Sequence, residues 1–187
     1  MLVVSDIDDV LVSLVETTIQ RFEQRTGGVF DRTRFNGYDL SNYLSQYELD
    51  MFNEIWHDPN LYDGLEPING AVQALKGLVD DGHEVCLATR FDVHGNKKRW
   101  VQKHLPFLDP KNYFVTERKD LIVCDFMIED CIETLATCKP SIYKVLVTQP
   151  WNCLGDNYDD AHGIYRVADM TEACRIVKEL TERENEL

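Results

Sequence analysis

The stretch "VVSDIDDVLVSL", residues 3–14, places Asp6, Asp8 and Asp9 within four positions directly behind an apolar run. The run reads as a buried strand. Like charges crowded at the end of such a strand repel one another unless a counter-charge meets them. The source of that counter-charge decides how the rest of the chain is read.

Outward from this stretch, apolar runs of strand length and β-branched or aromatic content recur. They lie at Met1–Ser5, Glu84–Ala88, Tyr113–Val115, Leu121–Ile128, Tyr143–Thr148 and Ile164–Val167. Helical patterns separate them. "NGAVQALKGLVDDG" sets Val72, Leu75, Leu78 and Val79 on one face and stops at Gly82. "GNKKRWVQKHL" groups Trp100, Val101, His104 and Leu105, and "MTEACRIVKELTEREN" groups Ala173, Ile176, Val177 and Leu180. The alternation predicts an α/β fold, a Rossmann-like parallel sheet with helices on both faces. The interval 15–68 breaks the rhythm: it holds helical pieces such as "VETTIQRFEQRTG" and "SQYELDMFNEIW", many aromatics and no strand pattern. The expectation is a core of residues 1–14 and 69–187 with a small helical cap, 15–68, inserted after the first strand; a packed helical extension is the alternative.

In an open parallel sheet, ligands bind beyond the carboxyl ends of the strands. The first strand delivers Asp6, Asp8 and Asp9 there, and the second delivers Thr89 and Arg90. The third is followed by Arg118 and Lys119, and the fourth ends in Glu129 and Asp130. Converging carboxylates call for a hard divalent cation, and magnesium, held by one or two carboxylates plus a substrate phosphate, is the natural choice. Arg90 and Lys119 cannot ligate it but suit a phosphoryl group. The implied substrate is a phosphate ester. Asp6 can then attack phosphorus as a nucleophile. Asp8, two residues on and pointing to the same side, can protonate the departing alcohol and later activate water.

Composition sets limits. A chain of 187 residues, 44% of them hydrophobic, is enough for one buried core and a small insertion. A formal net charge of −14 disfavours a nucleic-acid polymer or an anionic membrane as partner and leaves room for one small phosphate ester. There is no apolar run of membrane-spanning length and no signal-peptide pattern, so a cytoplasmic protein is expected. Six cysteines without a CxxC pair read as reduced and structural.

"DIDDVL", the threonine of "VCLATR", Lys119 in "TERKDLIV" and the acidic pair of "FMIED" resemble, in order, the four motifs of the haloacid dehalogenase-like phosphatase superfamily. Within it, "LYDGLEPINGAVQALKGL", "KKRWVQKHLP" and "YFVTERKDLIVCDFMIED" are most similar to the 5'(3')-deoxyribonucleotidases, over residues 1 to about 130. The resemblance implies Asp6 as nucleophile, Asp8 as acid/base, and Thr89 and Lys119 as phosphate ligands. Lys119 is favoured over Arg118 and Lys111 by its spacing to the acidic pair. It further implies magnesium held by Asp6, the Asp8 carbonyl, Glu129 and Asp130, with a nucleoside monophosphate as substrate. A homodimer is compatible with it. The chain departs from the family pattern at Asp9, where glycine is usual, at Arg90 and Phe91 in place of Ser-Pro, at Leu14 in place of a base-stacking aromatic, and at Glu129 in place of aspartate. The alternatives are a phosphatase for another small ester or a nucleic-acid 3' end, and a nucleotide-binding protein without turnover.

Other residues carry two readings. Arg90 is a second phosphate clamp or a surface ion-pair partner. Asp9 tunes the metal or faces solvent. Asp125 is read as an outer metal ligand ahead of a backbone-bonded group. Lys97, Lys98 and Arg99 are read as a solvated helix face, and His57 and His94 as structural. Phe22, Phe30, Tyr38, Tyr43, Phe52 and Trp56 are core or, less expectedly, a base-stacking pocket.

Overall fold

The computed structural model describes residues 1–35, 37, 39–153 and 156–186. Six parallel strands form one sheet: β1 (Leu2–Ser5), β2 (Glu84–Thr89), β3 (Tyr113–Val115), β4 (Phe126–Glu129), β5 (Tyr143–Val147) and β6 (Ile164–Val167). Their order is β3-β2-β1-β4-β5-β6. The chain winds outward from β1 in one direction and then in the other, so the crevice lies at β1, where the order reverses.

Alternate strand residues face opposite ways and feed two cores. Val3, Val85, Phe126 and Val145 pack with helices α3 (Ala71–Asp80), α4 (Asn96–His104) and α7 (Met170–Asn185). Val4, Cys86, Met127 and Leu146 pack on the other side with α5 (Ile132–Thr137), and α6 (Asp156–His162) joins them through Tyr158. The sheet is therefore covered on both faces, as its near-continuous apolar strands require.

The fourth strand is shorter than its apolar run suggested. Residues 121–125 lie outside it, because Lys119–Leu121 coil into a 3-10 turn that leaves Leu121 and Val123 exposed while Lys119 is buried. Asp125 is corrected as well. Its Oδ2 accepts the Leu2 backbone N–H at 2.6 Å at the amino edge of the sheet, a strand length from Glu129 and Asp130.

Among the described residues, the interval between β1 and α3 holds no strand. It contains α1 (Leu14–Thr26), α2 (Gln46–Trp56) and two 3-10 turns at Arg32–Arg34 and Leu40–Asn42. Phe22, Phe30, Phe35 and Phe52 bury one another with ring centroids 5.5–5.9 Å apart, and this cluster is continuous with the core under the sheet. Three of the six singled-out aromatics, Phe22, Phe30 and Phe52, are thus core, and Phe35, which had not been singled out, joins them, while Trp56 is only partly buried against that core. Tyr43 is half-buried, its carbonyl accepting from Arg34. Tyr38 lies outside the described residues.

Helix α2 opens with a reciprocal cap, Ser45 to the Glu48 N–H and Glu48 back to the Ser45 N–H. Arg34 then grips the Glu48 carboxylate with two bonds of 2.6 and 2.9 Å. These bonds hold the Glu48 carboxyl at about 2, below its ordinary 4.5. A depressed carboxyl stabilises the fold above its unfolded value and loses that contribution as pH falls through the folded one. With Arg34 35% exposed, the effect is screened to about 1 kcal/mol. Urea titrations should therefore find Glu48→Gln less stable than the parent by that amount at pH 7, with the gap closing as pH drops from 4.5 toward 2. A gap independent of pH would show that the ion pair is not its source.

Candidate active site

Asp6 follows β1 and stays in the ladder, its N–H donating to the Ile128 carbonyl at 2.9 Å. Ile7 turns into the core and is fully buried. Asp9 takes a left-handed backbone, φ +54°, which aspartate tolerates better than most residues with a side chain. Backbone bonds from Leu11 and Val12 to the Ile7 carbonyl close the turn, and α1 starts immediately after. Asp9 does not face solvent: it is buried, and its Oδ1 accepts the Val15 N–H at 3.1 Å, near the start of α1 where Ser13 makes no side-chain cap. It also lines the same cleft as Asp130, whose carboxyl its charge helps to raise.

The ends of β2 and β4 stand beside this turn. Lys119 lies between two carboxylates, 2.8 Å from Asp6 Oδ2 and 2.5 Å from Glu129 Oε1, with 1% of its side chain exposed. Asp6 Oδ1 accepts the Ile7 N–H at 2.7 Å. Asp130 accepts from the Trp151 indole at 2.9 Å, and Asn152 bonds its carbonyl. Oxygens of Asp6, Glu129 and Asp130 lie within 4.8 Å of one another. Two ligands at opposite vertices of a magnesium octahedron are about 4.2 Å apart, so the set has the right scale for a small divalent cation. Its electrostatics agree. Burial, then repulsion from Asp6, pushes the Glu129 carboxyl up to about 8 and that of Asp130 well above its usual range. Keeping these carboxyls ionised beside Asp6 needs more positive charge than Lys119 supplies, and an all-oxygen donor set suits a hard cation.

The Asp8 carboxylate is not part of that set. Its Oδ1 accepts from the Tyr62 hydroxyl and its Oδ2 from the Lys97 ammonium. Burial raises the Asp8 carboxyl, and Lys97 opposes that rise. Burial and the Asp8 charge raise the Tyr62 hydroxyl well above its usual value, so it remains a donor. Lys97 also donates to Thr89 Oγ1 at 2.9 Å and lies 4.2 Å from the centre of the Phe91 ring.

A cleft of about 610 Å³ opens over these groups. Asp6, Asp8, Thr89, Arg90 and Asp130 are on its wall, and the fully buried Lys119 and Glu129 stand behind it. Phe35, Leu40, Leu49, Trp56, Phe91 and Trp151 form its apolar side. Both indole N–H groups are bonded within the protein, Trp56 to Thr18 and Trp151 to Asp130. Leu14 also lines the cleft. Arg90, on the rim, donates to Cys131 Sγ at 3.0 Å and Thr134 Oγ1 at 2.9 Å. His57 is on the wall with Nδ1 bonded to the Asn53 carbonyl, whereas His94 sits in the turn before α4. Arg118 is on the surface, paired with Asp120.

The reading of Lys97 as solvated is overturned: it is 1% exposed. A signal was present, since 97, 100 and 101 share one helical face and Trp100 and Val101 are buried with it. Lys98 and Arg99 do face solvent. Tyr62 had no comparable signal, because it lies in the irregular connector between α2 and α3.

A family model described as "5' nucleotidase, deoxy (Pyrimidine), cytosolic type C protein" matches residues 1–182. A Staphylococcus epidermidis protein, named provisionally as a 5'(3')-deoxyribonucleotidase, is 25% identical over 129 residues, 67% of this chain and 71% of that one. A Clostridium acetobutylicum 5'(3')-deoxyribonucleotidase is 23% identical over 126 residues, 67% of this chain and 70% of its own. Among solved structures, a Pseudomonas syringae hydrolase superposes with TM-score 0.59 at 16% identity, covering 94% of this chain and 96% of that one. The L-2-haloacid dehalogenase of Xanthobacter autotrophicus does so with TM-score 0.52 at 10% identity, covering 95% and 98%. These two likenesses establish the fold.

Because Lys97 is the buried partner of Asp8, Lys97→Ala should cost about 3 kcal/mol, the usual penalty for stranding one member of a buried ion pair. Lys98→Ala, one residue along and exposed, should stay within about 0.5 kcal/mol of the parent in the same denaturation experiment. Equal effects would return Lys97 to the solvated face.

Proposed function

Because the chain belongs to the family of deoxy (pyrimidine), cytosolic type C 5' nucleotidases, we propose that it is a magnesium-dependent phosphomonoesterase acting on nucleoside monophosphates, deoxynucleotides foremost. The observation that carries this reading is Asp6 on the cleft wall, with Lys119 behind it and Asp8 beside it.

Asp6 attacks phosphorus. As its oxygen bonds to phosphorus, the bond to the ester oxygen breaks, the electron pair leaves with that oxygen, and Asp8 supplies its proton. Asp8, now a carboxylate, takes a proton from water; the water oxygen attacks the aspartyl-phosphate, releasing phosphate and restoring Asp6. The resemblance assigns the phosphoryl oxygens to Thr89 and Lys119; Thr89 is on the cleft wall, and Lys119, behind it, acts from its place against Asp6 and Glu129. Arg90 can join them only by giving up Cys131 and Thr134, so it takes the smaller share. Magnesium, held by Asp6, the Asp8 carbonyl, Glu129 and Asp130, would screen the repulsion between carboxylate and phosphate.

Residues 15–68 act as a cap, a reading supported by Phe35, Leu40, Leu49 and Trp56 on the cleft wall. Their apolar surface suits a nucleobase, with Trp56, Phe91 or Trp151 taking the stacking role that Leu14 cannot. The net charge of −14 supports a small substrate over a polymer. Six free thiols support a cytoplasmic setting, and among the described residues no helix is long and apolar enough to cross a membrane.

Phosphate release from a panel of deoxy- and ribonucleoside 5'- and 3'-monophosphates and sugar phosphates tests the reading. Release should concentrate on nucleotides, require magnesium, stop with chelator and fall at least about a thousandfold in Asp6→Asn. Nucleotide binding without release would instead support a non-catalytic protein. Magnesium alone, at about a hundredfold its dissociation constant, should stabilise the fold by about 2.7 kcal/mol. Asp130→Asn should weaken that stabilisation; its persistence in full would move the metal elsewhere.

A further inference from the structure

We propose that Tyr62 is a positioning residue for Asp8, its hydroxyl setting the orientation in which the carboxyl meets the ester oxygen. The inference rests on the phosphomonoesterase reading above. A carboxyl group held by one donor can still turn about its Cβ–Cγ bond, whereas donors to both oxygens fix its plane. Asp8 has both, Lys97 on Oδ2 and Tyr62 on Oδ1. Tyr62 is 3% exposed.

The backbone that carries Tyr62 is tied from two sides. From α1, Arg21 donates to Asp58 Oδ2 at 2.8 Å and to the carbonyls of Asn60 and Leu61 at 3.4 and 3.0 Å. From α4, Asn96 reaches the Asp58 carbonyl, Arg99 the Pro59 carbonyl at 3.1 Å, and the Trp100 indole the Leu65 carbonyl at 2.8 Å. Helix α4 therefore supplies one donor to Asp8 directly, through Lys97, and helps to seat the other. A connector needed only to join two helices would not require a hydroxyl at this position.

A role in proton delivery has a signature that packing lacks. A nucleoside oxygen leaves poorly without a proton, whereas p-nitrophenolate is a stable anion that departs without one. On the magnesium-loaded protein, Tyr62→Phe should lower kcat/KM about tenfold for the best nucleotide of the panel and leave it within about twofold for p-nitrophenyl phosphate. Arg21→Ala, outside the cleft, should shift the same ratio in the same direction by a smaller factor. Equal slowing of both substrates in Tyr62→Phe would mean a packing role and overturn the inference, as would no slowing of either. An unchanged ratio in Arg21→Ala would remove the connector from it. Parent protein inactive on both substrates would overturn the phosphatase reading itself, and this inference with it.

Discussion

Lys119 holds its ammonium between Asp6 and Glu129 where almost no solvent reaches. An ammonium so placed must be paired on all sides or it costs several kcal/mol, and the same is true of the carboxylates. The local fold follows from that requirement. The 3-10 turn at Lys119–Leu121 replaces the start of an apolar strand and turns Lys119 inward. β4 then begins late enough for Glu129 to end it beside β1. The ladder bond from the Asp6 N–H to the Ile128 carbonyl brings the third member to the same place. Charges that would be intolerable singly become tolerable as a set, and the set is concentrated where a doubly wound sheet opens its crevice.

The turn after β1 resolves a second crowding problem by sending three aspartates to three destinations. Asp6 faces Lys119, Asp8 faces Lys97 and Tyr62, and Asp9 caps α1 from a left-handed backbone. A glycine would adopt that backbone without strain, as the family pattern has it, but could not bond the Val15 N–H. This chain trades backbone ease for a side-chain acceptor at a helix start. The departure at position 9 thus belongs to the architecture of the turn.

The cleft divides its labour in the same way. Its polar side is built where strands end. Its apolar side comes largely from the helical interval, whose phenylalanines are continuous with the core under the sheet. Trp151 links the two sides, with its indole bonded to Asp130 and its ring 6.2 Å from that of Phe35. Leu14 shares the cleft wall with rings from other elements, Phe35, Trp56, Phe91 and Trp151.

The architecture was legible in the chain. Apolar runs alternating with amphipathic helices can be buried in few ways, so the parallel sheet, the helical interval and the gathering of Asp6, Thr89, Lys119, Glu129 and Asp130 at one edge follow from local pattern. Lys97 was half-legible, since its spacing to Trp100 and Val101 marks a buried face although a lysine beside Lys98 and Arg99 suggests a solvated one. Asp125 misled because a carboxylate near an acidic pair in sequence lies a strand length away in space. Tyr62 was silent: no periodicity governs a connector, and its bond to Asp8 spans 54 positions. The sequence by itself determined which elements form and which charges collect at the end of the sheet, because those depend on neighbours along the chain. Only the tertiary structure decided which donor holds which carboxylate, because a buried charge is satisfied by whatever the packing brings within hydrogen-bond reach.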